Sequence, residues 1–270
     1  MGIFFEAIRD LHSGYLATQS IDYHQALWSA DNNRILSAPV KRPLRILDIG
    51  TGSGVMAGEN AQRFPDAHVI GMDVLSEQQA GLPHNGEFRI GNIEETPWEF
   101  ANETFDYIYA GNLAGYIRND KWDLIYAEAL RCLKPAGYLA HSEVDILSTE
   151  PPWDRYQKTC LIGCFWGGRS VALMKQLRMR FIFAGVDNIK ERELKLSGSD
   201  VQADVANRVA CLQSIFSQPQ LLLELDLIPK FHELFDSCFA LREKRLRPTH
   251  YYLRAEAVKG TFRSERSIGR

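Results

Sequence analysis

The sequence RILDIGTGSG at residues 45–54 predicts a buried β-strand that runs directly into a glycine turn, with a helix behind it. A second apolar run follows at residues 68–72 and ends at Asp73, nineteen residues after Gly54. Glycines let backbone amides approach a ligand closely, and an acid at the end of the second strand can accept hydrogen bonds from both hydroxyls of a ribose. The two segments together therefore predict a pocket for a nucleoside.

The spacing of the glycines indicates which type of nucleoside cofactor the pocket binds. Dinucleotide-binding turns carry Gly-x-Gly-x-x-Gly, and the helix N-terminus behind them faces a pyrophosphate. Here the glycines are Gly50, Gly52 and Gly54, and Asp48 stands two residues before the first of them. A carboxylate there repels a pyrophosphate but can orient the ammonium of an amino-acid tail, which S-adenosylmethionine has and a dinucleotide lacks. A purely structural glycine turn and a nicotinamide cofactor are the less favoured alternatives.

Length and composition limit the class of protein. A chain of 270 residues suits one large domain, or one domain with an elaborated lid, and its net charge of −3 argues against a broad nucleic-acid surface. No apolar run is long enough to span a bilayer, and the N-terminus does not resemble a signal peptide. Five scattered cysteines indicate reduced thiols in an intracellular protein. We therefore expect no membrane, nucleic-acid or metal partner.

Apolar strands alternate with helical stretches from residue 44 onward, which predicts a mostly parallel sheet that is covered on both faces. The strands are predicted at residues 45–49, 67–72, 87–90, 104–110, 138–143, 186–196 and 250–258. The clearest helix begins near Trp122, keeps one apolar face, and is expected to end at Lys134-Pro135-Ala136-Gly137. We divide the chain into an N-terminal helical lid segment (1–43), a main domain (44–258) with a helical insertion (about 151–183), and a basic tail (259–270).

With these motifs in place, the chain resembles class I S-adenosylmethionine-dependent methyltransferases, and more narrowly the LaeA-like methyltransferases of fungal secondary-metabolite pathways. The resemblance rests on the blocks at residues 46–54, 64–73, 105–115 and 133–139, with weaker similarity near residues 23–25 and 250–252. It implies an α/β, Rossmann-like fold: a seven-stranded, mostly parallel sheet with an antiparallel last strand, an N-terminal helical segment and a helical insertion after strand five. It also implies S-adenosyl-L-methionine as the cofactor.

The resemblance assigns cofactor-binding roles to nine residues. It implies that Asp48, Gly50, Gly52 and Gly54 line the methionine moiety and that Asp73 holds the ribose. Val74, Asn92 and Ile93 would contact the adenine, although many relatives have an acid where this chain has Asn92. Asn112, at the end of strand four, would lie under the sulfonium, and a simple turn residue is the alternative interpretation.

Three side chains are candidate general bases: His24, His141 and Glu143. His141 and Glu143 lie two residues apart on strand five, so they share one face, and the end of that strand abuts the expected cofactor crevice. The alternative is that His141 packs against a helix and Glu143 caps a loop. His24 lies in the segment that often covers such pockets, and a partly buried surface histidine is its alternative.

Three functions remain open at this stage. The first is a methyltransferase that acts on a small-molecule secondary metabolite at nitrogen or oxygen, in the cytoplasm. The second is a LaeA-like regulatory protein of methyltransferase fold that works through protein partners, for which a nuclear location is also possible. The third is a nicotinamide-dependent oxidoreductase, disfavoured by the glycine spacing and by the lack of a Tyr-x-x-x-Lys pair in the sequence.

Overall fold

A computed structural model describes residues 38–74, 81–114, 116–145, 176–196 and 250–258. These residues form seven strands, three α-helices and one 3₁₀ turn. The strands are β1 (Arg45–Ile49), β2 (His68–Asp73), β3 (Gly86–Ile90), β4 (Phe105–Gly111), β5 (Leu133–Asp145), β6 (Asp187–Leu196) and β7 (His250–Val258). The helices are α1 (Val55–Arg63), α2 (Trp122–Cys132) and α3 (Leu177–Phe183), and the 3₁₀ turn is Asn119–Lys121.

The strands form one sheet in the order β3-β2-β1-β4-β5-β7-β6. Strands β1 to β5 run parallel to one another, and β7 is antiparallel to both β5 and β6. The expected Rossmann-like fold with a parallel sheet is thereby confirmed. The strand order reverses between β1 and β4, and in open α/β sheets ligands bind beyond the carboxyl ends of the strands at such a reversal.

Several predicted segments lie wholly or mostly outside the described residues. They are the N-terminal lid segment, the helical insertion, the basic tail and the two helices predicted between β6 and β7. His24 lies there as well.

The central strands β1, β2 and β4 of the sheet are buried on both faces, as parallel strands generally are. One face packs against α1, and the other packs against α2 and α3. Because successive side chains of a strand point to opposite faces, neighbouring residues of β1 enter different layers. Ile46 belongs to the core layer between the sheet and α1, called the α1 layer here. Leu47 belongs to the core layer between the sheet and α2 and α3, called the α2 layer.

The strand β5 begins at Leu133, directly after α2 and five residues earlier than predicted. Leu133 pairs with Phe105, and regular pairing resumes only at Tyr138, which lies opposite Tyr107. The four residues in between face a single residue of β4 and form a bulge, in which Ala136 has a left-handed backbone with φ of +62°. The Lys134-Pro135-Ala136-Gly137 motif therefore kinks the strand, whereas the helix has already ended at Cys132.

Asp106 ties three strands together at the amino-terminal end of β4. One of its carboxylate oxygens accepts the backbone N–H groups of Leu44 and Arg45, both at 2.9 Å, and the other accepts a hydrogen bond from Lys134 Nζ at 2.8 Å. Partial burial acts to raise the pKa of Asp106, but Lys134 and the two backbone donors outweigh it and hold the pKa below its usual value. This end of the sheet is thus held by a charged carboxylate that accepts three hydrogen bonds.

Candidate functional site

The candidate site lies at the carboxyl ends of β1, β2, β4 and β5. Its centre is the glycine turn between β1 and α1, where Gly50, Gly52 and Gly54 all have left-handed backbones with φ of +65°, +55° and +83°. The N–H groups of Gly50 and Thr51 donate to the carbonyl oxygen of Met72 at 2.8 and 3.1 Å, which fixes the turn to β2. L-residues with a Cβ rarely adopt this backbone, so the glycines are required for the shape of the turn.

Open space adjoins the middle of the turn. A Cβ added to Gly52 would meet no atom of the described residues within 4 Å, whereas one added to Gly50 would overlap the side chain of Leu113. Gly50 is therefore needed for packing, and Gly52 presents bare backbone to a region that no described residue fills. A ligand can approach the chain closely at that point.

Asp73 lies at the end of β2 beside this open space. Its Oδ2 atom accepts the backbone N–H of Gly52 at 2.8 Å, and the side chain is half-buried. The acid at the end of the second strand and the glycine turn are thus in direct contact. Val74 follows and is 59% exposed, which leaves an apolar side chain uncovered next to the carboxylate.

Asp48 lies beneath the turn and is 2% exposed. Thr51 Oγ1 donates a hydrogen bond to its Oδ2 atom at 2.7 Å. Burial raises the pKa of Asp48 to about 7, and the negative charge of Asp73 adds to this effect, while the bond from Thr51 opposes it. A cation placed against this carboxyl would favour its ionised form, so the site has an electrostatic preference for positive charge.

Asn92 and Ile93, in the turn after β3, are held by local contacts. The Asn92 side chain accepts the Glu94 N–H through Oδ1 and donates to Glu95 through Nδ2, both at 3.0 Å. The side chain of Ile93 is 5% exposed and belongs to the α2 layer, while its carbonyl oxygen accepts the indole N–H of Trp98 at 3.2 Å. The adenine contacts assigned to both residues stay predictions.

Asn112 directly follows β4 and has a left-handed backbone with φ of +54°. Its backbone N–H donates to the carbonyl oxygen of Ser142 on β5 at 2.9 Å. The left-handed residue ends β4 and turns the chain across the end of β5. Asn112 is therefore a turn residue, and it also stands at the strand ends where its predicted contact with the cofactor requires it to be.

His141 and Glu143 share one face of β5, as expected, and their side chains contact each other: Nε2 of His141 lies 2.8 Å from Oε1 of Glu143. His141 packs against α2, where Tyr126 Oη lies 2.8 Å from its Nδ1 atom, and Glu143 caps the loop after Asn112. Both residues are sealed from solvent, at 0% and 1% exposure. This is the packed arrangement that the sequence offered as the alternative, and a base role for either residue stays a prediction.

Tyr126, Leu113 and Thr51 belong to the site although the sequence did not single them out as functional. Thr51 lies inside the quoted turn, where a hydroxyl three residues after a buried acid was the available signal. Tyr126 lies in the apolar face of α2, and a buried tyrosine usually finds a partner for its hydroxyl. Leu113 gave no signal, because its role depends on contact with Gly50 across the sheet.

Two kinds of feature are absent from the described part of the chain. None of its helices is long and apolar enough to cross a membrane. Within the same residues, no group of three or more histidine, cysteine or acidic side chains is arranged to hold a metal ion.

The chain is similar in sequence to known proteins. Residues 46–137 match the model of a methyltransferase domain. The chain is 32% identical over 140 residues to the secondary metabolism regulator LAE1 of Cochliobolus heterostrophus, an alignment that covers 50% of this chain and 44% of that protein. It is 33% identical over 126 residues to the regulator laeA of Fusarium oxysporum, covering 46% and 40%. The chain thus spans less than half the length of these curated relatives.

Solved structures share the fold at low sequence identity. A putative methyltransferase in complex with the Haloferax volcanii Trm112 methyltransferase activator has a TM-score of 0.56 at 15% identity, covering 96% of this chain and 100% of that chain. Phosphoethanolamine N-methyltransferase 2 of Haemonchus contortus, in complex with phosphomonomethylethanolamine and S-adenosylhomocysteine, has a TM-score of 0.53 at 18% identity, covering 83% and 50%. These structures share the Rossmann-like fold of the described residues, and residues 46–137 of the chain match the model of a methyltransferase domain.

Proposed function

We propose that this protein transfers the methyl group of S-adenosyl-L-methionine to a nitrogen or oxygen atom of a small-molecule secondary metabolite. The observation that supports this most directly is the contact between Asp73 and the glycine turn, next to the open space at Gly52. The matched methyltransferase domain supports the reaction class. The curated relatives, which are named regulators of secondary metabolism, support the class of acceptor.

The residues present fit this cofactor. The positive-φ glycines and the bare backbone at Gly52 leave room for its amino-acid tail, and the buried Asp48 favours an ammonium nearby. Asp73 can accept hydrogen bonds from the ribose hydroxyls, and the exposed Val74 offers an apolar surface to the adenine. Asn92 and Ile93 would border the ring, and Asn112 would lie near the sulfonium. The cofactor, when bound, supplies an already activated methyl group.

The protein's main task is then to position the acceptor and to exclude water. Holding two reactants in register can contribute about 7–11 kcal/mol to lowering a barrier. A general base would add to this for a hydroxyl or a protonated amine, by about 10²–10⁴-fold. Because His141 and Glu143 are occupied by each other and sealed from solvent, we assign them to holding the site and retain His24 as the candidate base.

The same proposal includes the organisation of the chain. We propose that residues 1–43 form a helical lid segment over a methyltransferase domain at residues 44–258, with a helical insertion at about 151–183 and a basic tail at 259–270. The proposed partner is a small-molecule acceptor, and we expect neither a nucleic-acid nor a membrane partner. The expected location is the cytoplasm.

A titration experiment tests the cofactor. We expect micromolar binding of S-adenosylmethionine and S-adenosylhomocysteine, about −8 kcal/mol, and no binding of NADPH by calorimetry. Asp73→Ala should weaken S-adenosylhomocysteine binding by tenfold or more, since a hydrogen bond to a charged group contributes about 1.5–3 kcal/mol. The control is Asp106→Asn, which alters a bonded carboxylate at the opposite end of the sheet and should leave affinity unchanged. Unchanged affinity in the Asp73 variant would refute the ribose assignment.

A regulatory protein that works through protein partners is the second candidate, because the curated relatives carry that name. It could also be nuclear. The two candidates differ in where a labelled methyl group goes. Transfer from methyl-labelled S-adenosylmethionine into the small-molecule fraction of a metabolite extract supports the enzyme. Label on protein, or cofactor binding without transfer and with a co-purified protein, supports the regulator.

A further inference from the structure

We infer that Glu143 is a positioning residue: its buried carboxylate fixes Leu113 against the glycine turn and so sets the affinity of the site for the adenosyl cofactor. The inference rests on the proposed function for the identity of the ligand. The contacts that carry it lie entirely within the described residues, on β5, α2 and the loop after β4.

The first step is the capture of two successive backbone amides by one oxygen atom. Oε1 of Glu143 accepts the N–H of Leu113 at 2.8 Å and the N–H of Ala114 at 3.1 Å, across about thirty residues of sequence. These amides converge because Asn112 has a left-handed backbone, which turns the chain at the end of β4. Successive amides that point to one place form a small anion-binding concavity. The loop therefore takes its shape around the carboxylate.

The second step is the support behind the carboxylate. The same Oε1 atom lies 2.8 Å from Nε2 of His141, whose Nδ1 atom lies 2.8 Å from the hydroxyl oxygen of Tyr126. If the carboxylate accepts, Nε2 must carry the proton, and Nδ1 then accepts the hydrogen bond from the Tyr126 hydroxyl. Burial, followed by the charge of Glu143, raises the pKa of Tyr126 well above its usual value, so the hydroxyl keeps its proton. Helix α2 thereby holds the orientation of the histidine and, through it, of Glu143.

The third step links the loop to the glycine turn. Leu113 is 6% exposed, and its side chain fills the space that a Cβ on Gly50 would occupy. The chain of contacts therefore runs from Glu143 to the backbone of Leu113, and from the side chain of Leu113 to Gly50. If Leu113 moves, the turn that borders the ligand space loses its packing on that side.

The ionised form of Glu143 is what this arrangement needs. Three donors meet one oxygen atom, and a carboxylate accepts hydrogen bonds more strongly than an amide does. A buried carboxylate is unfavourable unless such donors offset the loss of water. Glu143→Gln keeps the size and shape of the side chain while it removes the charge, so it separates the electrostatic role from packing.

The matched control is Asp106→Asn. Asp106 also accepts two successive backbone amides on one oxygen, those of Leu44 and Arg45, but it does so at the amino-terminal end of β4. Both variants remove the charge from a carboxylate with this bonding pattern. Both variants should lower the melting temperature of the protein. Only the Glu143 variant should also change the candidate site.

Two measurements on the full chain test the inference. In the protein without ligand, Glu143→Gln should speed amide hydrogen exchange at Leu113 and Ala114 about tenfold, and Asp106→Asn should leave these two amides unchanged. In calorimetric titrations, Glu143→Gln should raise the Kd for S-adenosylhomocysteine about tenfold, and Asp106→Asn should not. Tyr126→Phe, which keeps the ring and removes the hydroxyl, should change both quantities in the same direction by a smaller factor.

The outcomes separate this inference from the proposed function. If the wild-type protein does not bind S-adenosylhomocysteine, the proposed function fails, while the exchange measurement still decides whether Glu143 holds the loop. If the wild-type protein binds and Glu143→Gln binds equally well, the inference fails alone. Unchanged exchange at Leu113 and Ala114 also overturns it. If Glu143→Gln does not fold, Tyr126→Phe provides the same test, and equal exchange and affinity in that variant count against the inference.

Discussion

The substitution Asp48→Asn should change how the stability of the protein depends on pH. The side chain of Asp48 is 2% exposed, and its pKa is raised from 3.8 to about 7, chiefly by burial. The folded state therefore binds this proton more tightly than the unfolded chain does. The resulting stabilisation is complete below pH 3.8 and is lost as the pH rises through 7. An asparagine has the same shape but does not titrate.

The magnitude follows from the size of the shift. The pKa of Asp48 differs by about three units between the folded and unfolded states, which corresponds to about 4 kcal/mol of stability, at about 1.4 kcal/mol per unit. Between pH 4 and 7 the free energy of unfolding of the wild-type protein should therefore fall by this amount relative to that of the variant. Above pH 7 the difference between the two proteins should be constant.

Urea denaturation of both proteins at half-unit steps from pH 4 to pH 8 measures this difference, provided that both have equal m-values. The variant Thr51→Val serves as a second check, because the Thr51 hydroxyl lowers the pKa of Asp48. Without this hydroxyl the pKa of Asp48 should be higher, so the free energy of unfolding should keep falling up to a higher pH than in the wild-type protein. A difference between wild type and Asp48→Asn that stays constant from pH 4 to pH 7 would refute the reasoning.

Three further substitutions test individual contacts by urea denaturation. Gly50→Ala should lower the free energy of unfolding by more than about 1–2 kcal/mol, since it adds a left-handed alanine and an overlap with Leu113; a smaller loss means that the turn relaxes. Ala136→Gly should raise that free energy by about 0.5–1 kcal/mol, because glycine tolerates a φ of +62°; a loss of stability would contradict this. Asn60→Leu should raise it by about 1–3 kcal/mol, since both amide atoms of this buried residue find no partner among the described residues, and a decrease would indicate a bound water.

The sequence predicted those parts of the site that depend on neighbouring residues. The glycine turn, the acid at Asp73 and the shared face of His141 and Glu143 follow from spacing within one or two elements, because strands have a period of two and parallel strands end at one edge. The contact of Asp73 with Gly52 is a direct consequence of that topology.

The partners of Glu143 could not be predicted in the same way. Leu113 lies thirty residues before it, and the approach of their atoms depends on the left-handed backbone of Asn112, which no periodicity reveals. The start of β5 was predicted late for a related reason. Pro135 and Gly137 indicate a break, but whether the break ends a helix or bulges a strand depends on the pairing of Leu133 with Phe105.

The Asp106 carboxylate has a consequence for how this protein can diversify. It holds β1, β4 and β5 together at the end of the sheet that lies opposite the candidate site. Substitutions at the carboxyl ends of the strands can therefore reshape the candidate site without loosening the register of the strands. A sheet that is fixed at one end and open at the other can accommodate changes in the loops of the candidate site while its strands stay in place.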